Sequence, residues 1–150
     1  MNKIVILARG LGTRMRRDDA AAKLDGRQAA IADTGVKAMI PIGRPFLDYV
    51  LSAAADAGYR HACLVVGPEQ DAIRKYYSEV PAERLDFTFA NQEQPRGTAD
   101  AVAAAEQFAD GDPIAVINSD NYYPVDALRR LREQSGSAVA LFERDAMLSG

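Results

Sequence analysis

Three short segments hold residue types that ordinary connecting loops do not need. The first is Gly10-Leu11-Gly12-Thr13-Arg14. Glycines let backbone N–H groups approach an anion with no Cβ in the way, and successive N–H groups in such a turn form an anion-binding nest. Arg14 adds a permanent charge whose donor fork suits phosphate. A plain strand-to-helix turn uses glycines in the same way, so both readings stand for this segment alone. Two familiar phosphate motifs fit poorly. A dinucleotide fingerprint needs a third glycine where Met15 stands, and an acidic residue where the chain has Val66-Gly67-Pro68. A P-loop needs Gly-Lys-Ser/Thr, which is absent.

The second segment runs from Asn91 to Thr98 (NQEQPRGT). The Gln92 side chain carries both donors and an acceptor, which suits the edge of a nucleobase. Gly97 permits close approach, and Thr98 is placed to cap a following helix. A polar connecting loop is the plainer reading. The third is Asn118-Ser119-Asp120-Asn121. A carboxylate at the carboxyl end of a buried strand is a natural Mg²⁺ ligand, because Mg²⁺ takes one or two carboxylates together with substrate phosphates. An Asx turn closing the strand is the alternative.

The elements that must position these segments follow from hydrophobic patterning. Lys3 to Ala8 (KIVILA), His61 to Val66 (HACLVV) and Pro113 to Asn118 (PIAVIN) read as buried strands. Leu85 to Ala90 alternates as a strand, and Ser137 to Phe142 reads as a last one. Helices are expected over Pro45 to Ala57, stopped by Gly58, over Pro68 to Tyr77 with proline in the first turn, over Ala99 to Ala109, and over Val125 to Gln134. This alternation predicts an α/β fold: a Rossmann-like three-layer αβα sandwich with a mostly parallel sheet. Such sheets bind ligands beyond the carboxyl ends of their strands. The three segments fall there.

Met15 to Thr34 breaks the rhythm. It is polar, mixed in charge and without core periodicity, so it reads as a long loop. Loops of that length in compact domains are functional or disordered. With Arg14 at one end and Lys37 beyond the other, it is expected to cover bound phosphates. The competing reading is an ordered surface loop at an oligomer contact, which would make the protein a homo-oligomer.

Bulk properties narrow the function. The 150 residues are 48% hydrophobic and 26% charged, with a formal net charge of −3, as expected of one globular domain. That balance disfavours nucleic acid as a partner, since such binders carry a basic excess. No apolar stretch is long enough to suggest a membrane partner, and no secretory signal is evident, so a cytoplasmic location is expected. The single cysteine, Cys63, reads as a small buried hydrophobe. His61, inside a strand, reads as structural.

Taken together, the segments resemble the sugar-phosphate nucleotidyltransferase family. Leu7-Ala8-Arg9-Gly10-Leu11-Gly12-Thr13-Arg14-Met15 is similar to its opening L-A-A-G-x-G-T-R-M. Val36 to Leu47 (VKAMIPIGRPFL) resembles its P-K-x-M-L-P-x-x-x-K-P-L/M segment. Gln92 followed by Gly97-Thr98 resembles its base-reading element, and Asp120-Asn121 its G-D-N. The resemblance covers nearly the whole chain. It implies that the backbone of Leu7, Ala8, Arg9 and Gly10 holds the nucleoside, and that Gly12, Thr13 and Arg14 hold the triphosphate. It implies further that Lys37 lies beside the transferred phosphate, that Gln92, Gly97 and Thr98 read the base, and that Asp120 binds Mg²⁺ as cofactor. Arg14 and Lys37 would be the catalytic residues. The implied partners are a nucleoside triphosphate and a phosphorylated small molecule, a sugar 1-phosphate.

The chain departs from the pattern in several places. Arg9 replaces a small residue, Ser119 a glycine and Val36 a proline. The span from Arg14 to Lys37 is longer than the family's and holds a second lysine, Lys23, whose flanks do not match. The resemblance also implies that residues 1–150 are one domain lacking its C-terminal part, which in the family supplies sugar contacts and a further metal ligand. Three functions follow: nucleotidyl transfer to a sugar 1-phosphate, transfer to another phosphorylated acceptor such as phosphocholine, or nucleotide binding without catalysis in a regulatory protein. A plain interaction domain with no ligand is the remaining alternative.

Overall fold

The computed structural model describes residues 1–10, 39, 41–81 and 83–145, with the backbone alone at 41 and 42. Its elements are β1 (Lys3–Leu7), β2 (Pro41–Ile42), β3 (Arg44–Pro45), α1 (Phe46–Asp56), β4 (His61–Val66), α2 (Asp71–Glu79), β5 (Asp86–Asn91), α3 (Thr98–Ala103), α4 (Glu106–Ala109), β6 (Ile114–Asn118) and α5 (Val125–Arg132). β2 and β3 form a small antiparallel hairpin. The other four strands form one parallel sheet in the order β5-β4-β1-β6.

Both faces of the central strands are covered, which is why their sequences are continuously apolar. On one face Ile4, Ile6, Ala62, Leu64, Val66, Ala115 and Ile117 pack against α1, α2 and α5. α1 presents Leu47, Val50, Leu51 and Ala54, one stripe at helical spacing. Each such fully buried large side chain contributes about 1.5–3 kcal/mol. On the other face Val5, Cys63 and Val65 meet Ala101, Ala105 and Phe108. The alanines let α3 and α4 lie close to the sheet. Cys63 is 1% exposed, and burial pushes its thiol pKa up, as suits a small core hydrophobe. α1 stops where Gly58 takes φ +96°, a conformation that favours glycine.

Several expected elements differ. The helix expected from Pro68 begins at Asp71, because residues 67–70 form a turn closed by Gln70 N–H to the Gly67 carbonyl. The Ala-rich helix is two short helices, since Ala105 N–H bonds back three residues to Val102 and interrupts the α-helical ladder. Ser137 to Phe142 forms no strand. Among the described residues β6 is paired only with β1, and Val139 and Leu141 are 82% and 90% exposed, so that segment has neither ladder bonds nor a packed face there to hold it extended. The insert Met15 to Thr34, with Lys23, lies outside the described residues, as do Val36 and Lys37.

Candidate functional site

The parallel register places four loops at one edge of the sheet. Leu7 is opposite Val65 and Asn118, and Val66 is opposite Asn91. Each pairing is carried one residue further by the loops: Ala8 N–H donates to Val65 O (2.9 Å), Ser119 N–H to Leu7 O (3.2 Å) and Gln92 N–H to Val66 O (2.9 Å). From β1 the chain moves outward to β4 and β5, then returns to place β6 on the other side of β1. The carboxyl edge on which these loops lie is where open α/β sheets bind ligands.

A cleft of about 490 Å³ opens there, lined by Leu7, Arg9 and Gly10 from the first loop, Gln92, Pro95, Gly97 and Thr98 from the second, and Asn118, Ser119 and Asp120 from the third, with Ala101 at its base. A larger cleft of about 650 Å³ lies along the outer edge of β6. It is lined by apolar groups such as Val116, Leu131, Val139 and Phe142 and holds no charged side chain, so it lacks the means to bind an anion.

The second loop is tightly held. Gln92 is buried, and its Nε2 donates to Gly97 O (3.2 Å) and Asp100 Oδ2 (2.7 Å). Gly97 occupies the cap position of α3 at φ +102°, ψ −177°, and no side chain caps the helix there. Thr98 is the first helical residue and is exposed, so its expected capping role falls to a glycine conformation instead. A Cβ on Gly97 or Gly10 would meet nothing within 4 Å, so both glycines border open space.

The Arg9 guanidinium turns towards the second loop. Its Nη1 donates to the Gln92 carbonyl and its Nη2 to the Glu93 carbonyl (3.2 Å), while Nε lies 3.5 Å from Glu69 Oε1. Below it, Gln70 accepts a bond from Gly67 N–H (2.8 Å) and donates to Ala8 O (3.0 Å). The third loop is braced by Tyr123, whose hydroxyl accepts from Asn118 N–H (3.1 Å), and it leaves Asp120 exposed at the cleft.

Residues 4–147 match the MobA-like NTP transferase domain. The chain belongs to that family. Among its relatives are the bifunctional protein GlmU of Parvibaculum lavamentivorans, 34% identical over 93% of this chain and 28% of GlmU, and a glucose-1-phosphate thymidylyltransferase of Streptomyces antibioticus, 29% identical over 80% of this chain and 30% of that protein. A UDP-glucose pyrophosphorylase solved with UDP-glucose shares the fold, with a TM-score of 0.67 at 22% identity, over 87% of this chain and 52% of that one. The chain thus spans between about a quarter and half of these relatives.

Within this NTP transferase domain the structure brings together Leu7, Arg9, Gly10, Gln92, Gly97, Thr98 and Asp120, all expected from the sequence. Ala8 lies beneath them, buried, with its carbonyl held by Gln70. Gly12, Thr13, Arg14 and Lys37 lie outside the described residues. Among the described residues no three acidic, histidine or cysteine side chains cluster as a metal site. The Asp120 carboxylate at the cleft fits Mg²⁺, which takes one or two carboxylates and completes its shell with substrate phosphate oxygens and water. Sequence reasoning missed Glu69, Gln70 and Asp100. Each acts across a turn or onto another strand, and no local spacing signals that. His61 pairs with Asp86 (3.1 Å) at the amino end of β4, away from the cleft. No helix among the described residues is long and apolar enough to cross a membrane.

Proposed function

We propose that this domain transfers a nucleotidyl group from a nucleoside triphosphate to a sugar 1-phosphate, forming an NDP-sugar and releasing pyrophosphate. The observation that carries the reading is the meeting of the β1, β5 and β6 loops in one cleft at the carboxyl edge of a parallel sheet. Those loops hold, respectively, Gly10, the buried amide of Gln92 and the carboxylate of Asp120. That set matches the three parts of a bound nucleotide–metal complex: phosphate, base and Mg²⁺.

In the proposed reaction an oxygen of the sugar phosphate attacks the α-phosphorus in line. A new P–O bond forms, the bond to the β-phosphate oxygen breaks, and pyrophosphate leaves with the electron pair. Both substrates are anions, so alignment and charge neutralisation supply the catalysis, and no nucleophilic side chain is needed. Backbone groups from Leu7 to Gly10 seat the nucleoside, and Gln92, Gly97 and Thr98 meet its base. Gly12, Thr13 and Arg14 hold the triphosphate. Lys37 offsets repulsion between the reacting phosphates. Asp120 would hold Mg²⁺, which when bound neutralises charge on the departing pyrophosphate. A cytoplasmic location, where both substrates are made, belongs to the same reading.

The test is a screen of pyrophosphate release with each nucleoside triphosphate against a panel of sugar 1-phosphates and phosphocholine, in Mg²⁺. Release with one triphosphate and one sugar 1-phosphate, abolished by Arg14→Ala, is the expected result. Triphosphate binding without release from any pair would overturn transfer in favour of nucleotide binding alone. Release with phosphocholine only would move the acceptor class.

A further inference from the structure

Gln92 is held from two sides, by Arg9 and by Asp100. Arg9 is 9% exposed and gives Nη1 and Nη2 to the carbonyls of Gln92 and Glu93. Its place is made by Gly67: a Cβ there would sit 2.7 Å from Arg9 Nε and 2.5 Å from Glu69 Oε1, so a larger residue would displace both. Asp100, one turn into α3, accepts from Gln92 Nε2 at 2.7 Å, and the Gly97 carbonyl accepts from the same nitrogen at 3.2 Å. Both amide protons of Gln92 are then committed. Turning the amide over would set its oxygen against a carbonyl and a carboxylate, two acceptors with no proton between them. The orientation is therefore decided by chemistry, even though nitrogen and oxygen have nearly the same shape.

We propose that Arg9 and Asp100 are positioning residues for Gln92, Arg9 fixing its main chain and Asp100 its amide, so that a base meets the amide oxygen as an acceptor. This rests on the reading of the cleft as a nucleotide site. An acceptor pairs with a ring N–H, which uracil, thymine and guanine carry on their pairing edge. Adenine and cytosine place a ring nitrogen lone pair there, which repels it, and they reach the oxygen only by sliding along the edge to present an exocyclic amino group. The site therefore favours UTP, TTP or GTP over ATP and CTP.

Calorimetric titration of the wild-type chain with the five triphosphates in Mg²⁺ gives the affinity ratio between the two groups of bases. Asp100→Ala frees the amide to turn and compresses that ratio by about fivefold, the worth of one oriented hydrogen bond. Asp100→Asn keeps an acceptor oxygen and restores it. Arg9→Ala also compresses the ratio, and Arg9→Lys, which retains one donor, does so less. A merely structural loss would weaken all five triphosphates equally and leave the ratio alone. If Arg9→Ala fails to fold, the half-exposed Asp100 still decides the matter. A wild-type preference for ATP or CTP, or a ratio unchanged in Asp100→Ala, overturns the positioning role and leaves the cleft reading intact. Wild-type protein that binds none of the five overturns the cleft reading itself, and this proposal with it.

Discussion

Gly97→Ala tests the second loop at its most constrained point. Gly97 stands at φ +102°, ψ −177°, a region in which an L-residue costs about 1–3 kcal/mol. The added methyl would meet nothing within 4 Å, so the entire cost is backbone strain and none of it is collision. The strain has two outlets. The Gly97 carbonyl accepts from Gln92 Nε2 and from Ala101 N–H (3.1 Å), and if those bonds hold the loop in shape the protein loses about 1–3 kcal/mol of stability. If the loop relaxes instead, the link to Gln92 breaks and the same free energy appears as weaker triphosphate binding, about 5- to 150-fold in Kd. The prediction is therefore a sum over two measurements, urea unfolding and calorimetric titration. A combined loss below about 0.5 kcal/mol, the range of an ordinary surface substitution, would refute the reasoning.

Asp120→Asn is expected to lower Mg²⁺-dependent pyrophosphate release at least about 100-fold while leaving the urea midpoint unchanged, because the side chain is exposed; a fully active variant would reduce Asp120 to a turn residue. Tyr59 is fully buried, donates to Leu128 O (3.2 Å), and has its pKa pushed up to about 12 by burial. Its folded pKa exceeds the unfolded value, so its contribution is complete below pH 10 and is lost as pH rises from 10 towards 12, where the unfolded chain has already released the proton. Urea titrations across that window should show stability falling, and Tyr59→Phe should make the fall shallower. Leu128→Ala empties the only buried position of α5 and is expected to cost about 2–5 kcal/mol in urea unfolding, with the cleft's nucleotide affinity retained.

The local sequence decided the strands and the loops that leave them. Lys3 to Leu7, His61 to Val66 and Ile114 to Asn118 are short, apolar on both faces and bounded by turns, and a chain so written has few ways to bury itself other than a parallel sheet between helices. The carboxyl-end positions of Gly10, Gln92 and Asp120 follow directly, and so does their meeting in one cleft. Where the reading failed, the deciding contact was distant. Pro68 opens no helix because the turn it sits in is held by Gln70 bonding to Gly67 and, across the sheet, to Ala8. Ser137 to Phe142 has the composition of a strand, but a strand is made by its neighbour's hydrogen bonds and a covered face, and this segment has neither.

Arg9 shows the division most clearly. Its type and place, two residues past β1 and beside the glycines of the first segment, suit an anion ligand. Only the tertiary structure sends its guanidinium backwards onto the carbonyls of Gln92 and Glu93, over a glycine from a third loop. Periodicity records which face a residue occupies, because that depends on near neighbours in the chain. It carries no record of which partner waits more than eighty residues away. A buried cation must find its acceptors wherever the packed loops place them.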